Sequence, residues 1–196
     1  MTYLTVGTSE LLQEKFVNIE DSAANNMKPM GGLWLTVHEY DTYNEWVDYL
    51  LGERGISTLY AKGSIFGYSP WRMPCVALTL KEDAKIFILD SKAKLDALRE
   101  KHPLDNDKFS YEAISKIYDG IFVDLRKLLR ELKGDLADRM NKFDVNTLIL
   151  FNLKCIDSYQ SGIVEVDNES YEANPNEALF YEIKLDDKKK KVYEKH

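Results

Sequence analysis

Cysteine and histidine are scarce in this sequence. Of its 196 residues two are cysteines, Cys75 and Cys155, and neither has a CxxC partner. This spacing disfavours a zinc site and a disulfide framework, so we expect two buried thiols. A metal hydrolase built on clustered histidines is disfavoured as well, because the three histidines are isolated in the sequence, at His38, His102 and His196.

Long apolar runs are also lacking. The longest stretches, such as Thr147 to Phe151, are far shorter than the roughly 20 residues that a membrane helix needs. The N-terminal MTYLTVGTSELLQ has neither the basic start nor the long apolar centre of a secretory signal. We therefore expect no membrane association and a cytoplasmic location.

The common signatures of nucleotide-binding folds and hydrolases are missing. The sequence contains no GxxxxGK[ST], GxGxxG, HExxH or GxSxG pattern. Nothing marks either cysteine as a reactive thiolate, since the neighbours Val76 and Ile156 are typical of packing positions. The function must therefore be inferred from less common patterns.

The composition predicts one globular domain over residues 1–196. Hydrophobic residues make up 44% of the chain and charged residues 30%, and the length suffices for a substantial core. The net charge of -7 disfavours broad adhesion to nucleic acid or anionic membranes. The exception is a Lys-rich tail from about residue 185, with the run Lys188 to Lys191, which is either solvated or an arm that contacts phosphate groups.

Short β-like runs are spread along the whole chain. They do not alternate regularly with helices, which favours an α+β domain with a largely antiparallel sheet. Two segments between them, Ile56 to Pro74 and Gln160 to Asn176, are interpreted as loops that face a substrate or cover the sheet. The predicted strands are Tyr3 to Val6, Leu33 to Val37, Val76 to Leu80, Ile86 to Leu89, Ile121 to Val123, Thr147 to Asn152 and Ala178 to Ile183.

Helical patterns lie between these runs. The stretch Thr42 to Glu45 has the form of a capping box, with Thr42 as the cap. A helical apolar face then follows at Tyr43, Trp46, Val47 and Leu50. The longest apolar stripe has Gly134 as a weak point in its middle, and it comprises Leu125, Leu128, Leu129, Leu132, Leu136 and Met140.

The stretch GGLWLT, Gly31 to Thr36, combines bare backbone with an aromatic residue. Glycines before a strand allow another backbone or a ligand to approach closely. Trp34, Tyr43 and Trp46 supply flat surfaces that suit either core packing or stacking on a base or nicotinamide ring. The residues alone leave both interpretations open.

Three segments, in this order, resemble a known family. They are KPMGGLWLT, which precedes the aromatic helix, YEAISKIYDGIFV at Tyr111 to Val123, and FDVNTLILFN at Phe143 to Asn152. Together they are similar to a bacterial and phage family with the ADP-ribosyltransferase-like fold, over roughly Met1 to Tyr159. The resemblance implies an α+β domain with a mixed, mainly antiparallel split β-sheet and flanking helices.

The resemblance also implies a set of residues that bind NAD. The family's first motif, of the form YHGTS, is similar to YLTVGTSE, where Val6 stands at the histidine position. Its second motif, a strand with a hydroxyl residue and then an aromatic helix, is similar to GLWLTVHEYDTYNEW, with Tyr49 as a further stacking candidate and His38 as an added polar group. The implied NAD-binding residues are Gly7, Thr8, Gly32, Trp34, Thr36, Tyr43 and Trp46.

The third motif supplies the implied catalytic residues. The family's glutamate, which stabilises the positive charge left when nicotinamide departs, corresponds to Asn146 in FDVNTLILFN. Asp144 and Asp119 are the candidate carboxylates, and Asp144 is expected to share a face with Asn146 if the strand already begins there. Lys28 and Arg72 are candidates for contacts to phosphate.

By this resemblance the chain is expected to be an NAD-dependent ADP-ribosyltransferase, such as a toxin, phage effector or defence component. It would use NAD as a substrate, cleave the bond between nicotinamide and ribose, and modify an unknown protein or nucleic-acid acceptor. Val6 and Asn146 favour an alternative, a catalytically inactive protein of the same fold that binds a nucleotide or a protein partner. A third interpretation is an acidic protein that acts through its surface.

Overall fold

The computed structural model describes residues 1–22, 27–51, 72–167 and 180–192. These residues form an α+β structure whose strands are mainly antiparallel, which confirms the coarse fold class. The chain divides into two compact units. The first unit comprises Met1–Leu12, Thr36–Leu80 and Ile156–His196, and the second comprises Gln13–Leu35 and Lys81–Cys155.

The first unit contains a wholly antiparallel sheet. Its described strands lie in the order β10, β9, β3, β1 and β2, and the last contributes only residues from Thr36 onward. Alternating residues of β1, β3, β9 and β10 contribute apolar side chains to one core cluster. The strands are β1 Thr2–Val6, β2 Leu33–His38, β3 Arg72–Leu80, β9 Ile156–Val166 and β10 Tyr181–Leu185.

Strand β9 was not predicted from the sequence. The interpretation of Gln160 to Asn176 as a loop is wrong for its first part, because β9 continues to Val166 beside β3. The polar residues of β9 interrupt the apolar pattern that would predict a strand. In the structure their side chains form hydrogen bonds; the Ser161 hydroxyl, for example, donates to the Ser9 carbonyl at 2.6 Å. The residues from 168 onward in that predicted loop lie outside the described ranges.

The observed bounds of β3 and β10 differ from the predicted ones. Arg72 to Pro74, the end of the predicted loop from Ile56, belong to β3, and the rest of that loop lies outside the described residues. Strand β10 begins at Tyr181 and ends at Leu185. Ala178 and Leu179, with which the predicted strand begins, lie outside the described residues.

Helix α1, Glu45–Leu51, also belongs to the first unit. The prediction that Thr42 caps it is wrong, because the side-chain oxygen of Asn44 accepts from the backbone N–H groups of Trp46 and Val47, at 3.1 and 3.3 Å. Contacts distant in sequence hold Asn44 in this role, since the Thr36 hydroxyl donates to the same oxygen at 2.9 Å. Val47 is buried in consequence and Tyr43 is exposed.

The second unit contains a mixed sheet in the order β2, β8, β7 and β4. Residues Leu33 to Leu35 of β2 pair with β8, and β8 pairs with β7, in both cases antiparallel. The β4 and β7 strands pair in parallel. Besides β2, the described strands are β4 Ile86–Leu89, β5 Pro103–Leu104, β6 Lys108–Phe109, β7 Gly120–Val123 and β8 Thr147–Leu150, of which β5 and β6 form a separate hairpin.

Short helices cover this sheet. The long predicted stripe is divided into α4 and α5, because Gly134 adopts φ 62° and ψ -149°, a conformation that breaks a helix. No described helix is long and apolar enough to cross a membrane. The helices are α2 Lys92–Lys101, α3 Tyr111–Ile114, α4 Leu125–Glu131 and α5 Asp135–Met140.

Each unit has its own hydrophobic core. In the first, buried residues such as Leu4, Cys75 and Val164 form the cluster, and in the second the cluster includes Ile121 and Phe143. Both cysteines are buried and free, which confirms the prediction of buried thiols. Burial raises the pKa of the Cys75 thiol to about 12, and that of Cys155 to about 12.

Candidate functional site

A carboxylate, an ammonium group and two aromatic rings meet in the second unit. The Lys28 ammonium lies 3.1 Å from the Asp144 carboxylate, and each side chain is about one-third exposed, at 29% and 32%. The same ammonium lies 5.9 Å from the Trp34 ring centroid and 6.0 Å from that of Phe143. We call Lys28, Trp34, Phe143 and Asp144 the Asp144 corner.

Asp144 occupies an unusual backbone conformation. Its φ of 68° and ψ of -42° lie in the positive-φ region that side chains rarely adopt. The Val145 N–H donates to the Phe143 carbonyl at 2.8 Å, which closes a γ-turn centred on Asp144. This turn form is rare and strained, and strain of this kind is often found at functional sites.

This turn changes one expectation about the third motif. Strand β8 begins at Thr147, so Asp144 is not part of the strand. The condition under which Asp144 and Asn146 would share a strand face, a strand that already begins at Asp144, is therefore not met. The carboxylate is directed instead by the γ-turn and by its ion pair with Lys28.

Trp34 packs against the core of the second unit and also forms part of the Asp144 corner. Its ring stacks on Phe143 at 5.9 Å between centroids and 27° between planes, and its indole N–H donates to the Gly31 carbonyl at 2.9 Å. Position 31 requires a glycine because the backbone of Asn18 lies too close for a side chain: a Cβ at Gly31 would lie 2.0 Å from the Asn18 carbonyl oxygen. At Gly32 a Cβ would lie within 3.0 Å of neighbouring protein atoms. The glycine pair is thus explained by the close approach of the protein's own backbone at Gly31 and of side chains and backbone at Gly32.

The side chain of Asn146 lies beside the N-terminal end of helix α4, although Asn146 itself is not part of that helix. Its side-chain oxygen accepts from the Arg126 backbone N–H at 3.2 Å. Asp124 caps the same helix by accepting from the Lys127 N–H at 3.1 Å. The amide of Asn146 therefore satisfies one of the free N–H groups of a helix end.

Asp119 ties three segments of the second unit together. Its carboxylate accepts from the Lys85 N–H at 2.9 Å and from the Asn152 side-chain amide at 3.0 Å. Its main-chain groups pair with Lys85 and Phe151. Of the three catalytic candidates, Asp144 forms an ion pair with Lys28, whose ammonium lies beside the Trp34 ring.

The remaining predicted NAD-binding residues belong to the first unit. Gly7 donates its N–H to the Pro74 carbonyl at 2.8 Å, just after β1. The Thr8 hydroxyl donates to the Glu10 carbonyl at 2.7 Å, which closes a local turn. Thr36 is almost fully buried and holds Asn44, so its hydroxyl has a structural partner.

The aromatic residues around α1 lie near the surface. Tyr43 is 47% exposed, and its N–H donates to the Tyr40 carbonyl at 3.3 Å, before the helix begins. Trp46 stacks on Tyr49 at 5.6 Å between centroids and 18° between planes. The two other polar candidates have partners as well: His38 lies 3.4 Å from Asp41, and Arg72 lies 3.0 Å from Glu165.

Two residues of structural importance were not recognised in the sequence. Phe143 provides the second ring of the Asp144 corner, and its place directly before Asp144 in FDVN was the available signal. Tyr181 lies under α1, where its hydroxyl donates to the Asp48 carboxylate at 2.7 Å and accepts from the Asn44 N–H at 2.6 Å. No local pattern marks Tyr181, because its partners are distant in sequence.

The predicted site residues thus fall into two groups, one in each unit. The second unit holds Gly32, Trp34, Asp119, Asp144 and Asn146, and the first holds Gly7, Thr8, Thr36, Tyr43 and Trp46. Among the described residues no three His, Cys, Asp or Glu side chains are arranged to hold a metal ion. Comparison of the chain with protein-family models, curated proteins and solved structures found no match.

Proposed function

We propose that the protein binds NAD at the Asp144 corner and acts as an ADP-ribosyltransferase, with Asp144 as its carboxylate. The observation that supports this role is the γ-turn that holds Asp144 in a strained conformation beside Lys28 and the stacked rings of Trp34 and Phe143. The corner supplies a negative charge, a positive charge and an aromatic surface. These are the groups that the ribose, the phosphates and the nicotinamide of NAD require.

The chemistry assigned to Asp144 is electrostatic. When the bond between ribose C1′ and the nicotinamide nitrogen breaks, nicotinamide leaves with the bonding electron pair and positive charge develops on the ribose. A carboxylate close to that ribose stabilises the charge, as in glycoside hydrolysis. An acceptor nucleophile then bonds to C1′ and loses its proton, which completes the transfer.

Lys28 has a double role in this proposal. In the structure its ammonium neutralises much of the Asp144 charge, at 3.1 Å. A phosphate group of bound NAD competes for the same ammonium and leaves the carboxylate free to act on the ribose. The ion pair is partly exposed, so the cost of separating it is small.

A second candidate function is binding without transfer, and Asn146 favours it. At the position of the family's glutamate this residue carries a neutral amide, and that amide accepts from the Arg126 N–H. A neutral group holds a ribose hydroxyl but does not neutralise positive charge. In this case NAD binds and is not consumed.

Calorimetric titration with NAD, followed by incubation with labelled NAD and a cell lysate, distinguishes the two functions. We expect binding heat for the wild type, and label on protein or nucleic acid that is lost in Asp144→Asn. The matched control is Asp83→Asn, which removes the same charge from an exposed turn of the same unit. Binding without label would support the second function, and no binding would contradict both.

A further inference from the structure

Helix α1 has one buried side and one aromatic side. Val47 and Leu51 face the core of the first unit. Residues in a helix advance by about 100° each, so Glu45, Trp46 and Tyr49 lie on the side opposite to Val47 and Leu51. The Trp46 and Tyr49 rings stack there, and Tyr49 is 42% exposed.

The stretch of sequence that carries these rings is acidic. The sequence has no lysine or arginine from Pro29 to Glu53. Within the described part of that stretch, Glu39, Asp41 and Asp48 are exposed and Glu45 is half-buried. Tyr40 and Tyr43, in the turn before the helix, add exposed aromatic surface at 62% and 47%. We call Glu45, Trp46 and Tyr49 the α1 face.

We propose that the α1 face docks an arginine-containing basic segment of a partner protein. A guanidinium group stacks on an aromatic ring and pairs with a carboxylate at its edge, and Glu45 lies on the same side of the helix as the rings. Because this surface is acidic, a complementary partner segment is expected to be basic. The proposal does not depend on NAD binding at the Asp144 corner.

The same charges disfavour an anionic ligand. The pyrophosphate of NAD and the backbone of a nucleic acid carry negative charge, which the carboxylates of this acidic stretch repel. This argues against stacking of nicotinamide on Trp46, which the resemblance implies. Trp34, which has Lys28 beside it, suits an anionic ligand better.

The chain's own Lys-rich tail is a less suitable occupant. Lys190 donates to the Ser161 hydroxyl at 2.7 Å, and Lys191 pairs with the Asp157 carboxylate at 2.8 Å. Both contacts hold the tail against β9. A separate basic chain is therefore the occupant that the charge pattern favours.

Fluorescence anisotropy with a labelled peptide of alternating arginine and glycine tests the proposal. We expect saturable binding that weakens as salt rises, because the contact is partly ionic. Trp46→Ala and Glu45→Gln are each expected to weaken binding about 3- to 10-fold, through loss of stacking and of charge. A peptide with glutamate in place of arginine should not bind.

Two variants serve as matched controls. Glu100→Gln removes one negative charge from an exposed position of α2 in the second unit, and Ile117→Ala removes an exposed apolar side chain. Both should bind the arginine peptide as the wild type does, and circular dichroism confirms that each variant is folded. The proposal is contradicted if the peptide does not bind, if the controls weaken binding as much as the α1 variants, or if a lysine peptide binds equally well.

Discussion

Single residues decide how the candidate site is interpreted. The resemblance placed Asn146 at the position of the family's glutamate and left Asp144 and Asp119 as the candidate carboxylates. The structure separates them by their contacts: Asp119 and Asn146 accept backbone N–H groups, whereas Asp144 pairs with Lys28 beside Trp34. A local motif does not contain this information, because each partner is distant in the sequence.

His38 gives a prediction about pH. Its side chain is 7% exposed, and its Nδ1 has no hydrogen-bond partner among the described residues. Burial lowers the pKa of His38 below the ordinary value of 6.5, and Asp41 opposes the shift. His38 therefore binds its proton more tightly in the unfolded chain than in the folded one. The stability that neutral His38 contributes is present above about pH 6.5, and it is lost as the pH falls below that value.

Urea unfolding between about pH 7 and pH 5 measures this effect. The free energy of unfolding should fall less steeply with decreasing pH in His38→Asn than in the wild type. Equal slopes in the two proteins would contradict the assignment.

The two thiols should be inert in the folded protein. Burial raises the pKa of Cys75 and of Cys155 to about 12, so about one thiol in 10,000 is ionised near pH 8. A chromogenic thiol reagent should label neither cysteine in the native state within minutes, and both after unfolding in guanidinium. Rapid labelling of one thiol in the native protein would contradict this.

At the scale of elements, the start of α1 shows why a local signal misleads. The capping box at Thr42 is correct in pattern, but Asn44 holds the helix because Thr36 and Tyr181 fix it in place. We expect Asn44→Ala to lower the free energy of unfolding by about 2 to 3 kcal/mol, through the lost cap and the buried groups left unpaired.

Thr42→Ala is the matched comparison for this prediction. Thr42 is exposed and precedes the helix, so its loss should change the free energy of unfolding by less than about 0.5 kcal/mol. Denaturant unfolding of both variants measures the difference. Equal costs for the two substitutions would restore Thr42 as the cap.

The break between α4 and α5 gives a second prediction for an element. Gly134 has φ 62° and ψ -149°, and a Cβ there would meet no atom within 4 Å. Gly134→Ala should therefore cost about 1 to 3 kcal/mol from backbone strain alone. Asparagine tolerates the left-handed helical region but not this ψ, so Gly134→Asn should cost as much. Stabilisation by alanine would indicate one continuous helix.

Strand prediction succeeded where apolar residues dominate and failed where they do not. The apolar run of β4 was predicted with its observed bounds, Ile86–Leu89. Strand β9 was missed because Ser158, Gln160 and Ser161 dilute its pattern. In the sheet these serine hydroxyls have partners: the Ser158 hydroxyl lies 3.0 Å from the Thr79 hydroxyl, and the Ser161 hydroxyl donates to the Ser9 carbonyl at 2.6 Å.

At the scale of the whole molecule, the sequence predicted the α+β class and the mainly antiparallel strands. The division into two compact units is a property of contacts between distant segments, which the sequence does not display. The assignment to the ADP-ribosyltransferase-like family is a proposal from three ordered segments. It now depends on one residue of the second unit, Asp144.

The rate of nicotinamide release from NAD by the purified protein tests that assignment most directly. We predict measurable release by the wild type and a fall of at least about 100-fold in Asp144→Asn, as is typical when charge stabilisation of a transition state is removed. Asp83→Asn should release nicotinamide at the wild-type rate. Release that is unchanged in Asp144→Asn, or absent from the wild type, would contradict the role of Asp144 as the catalytic carboxylate.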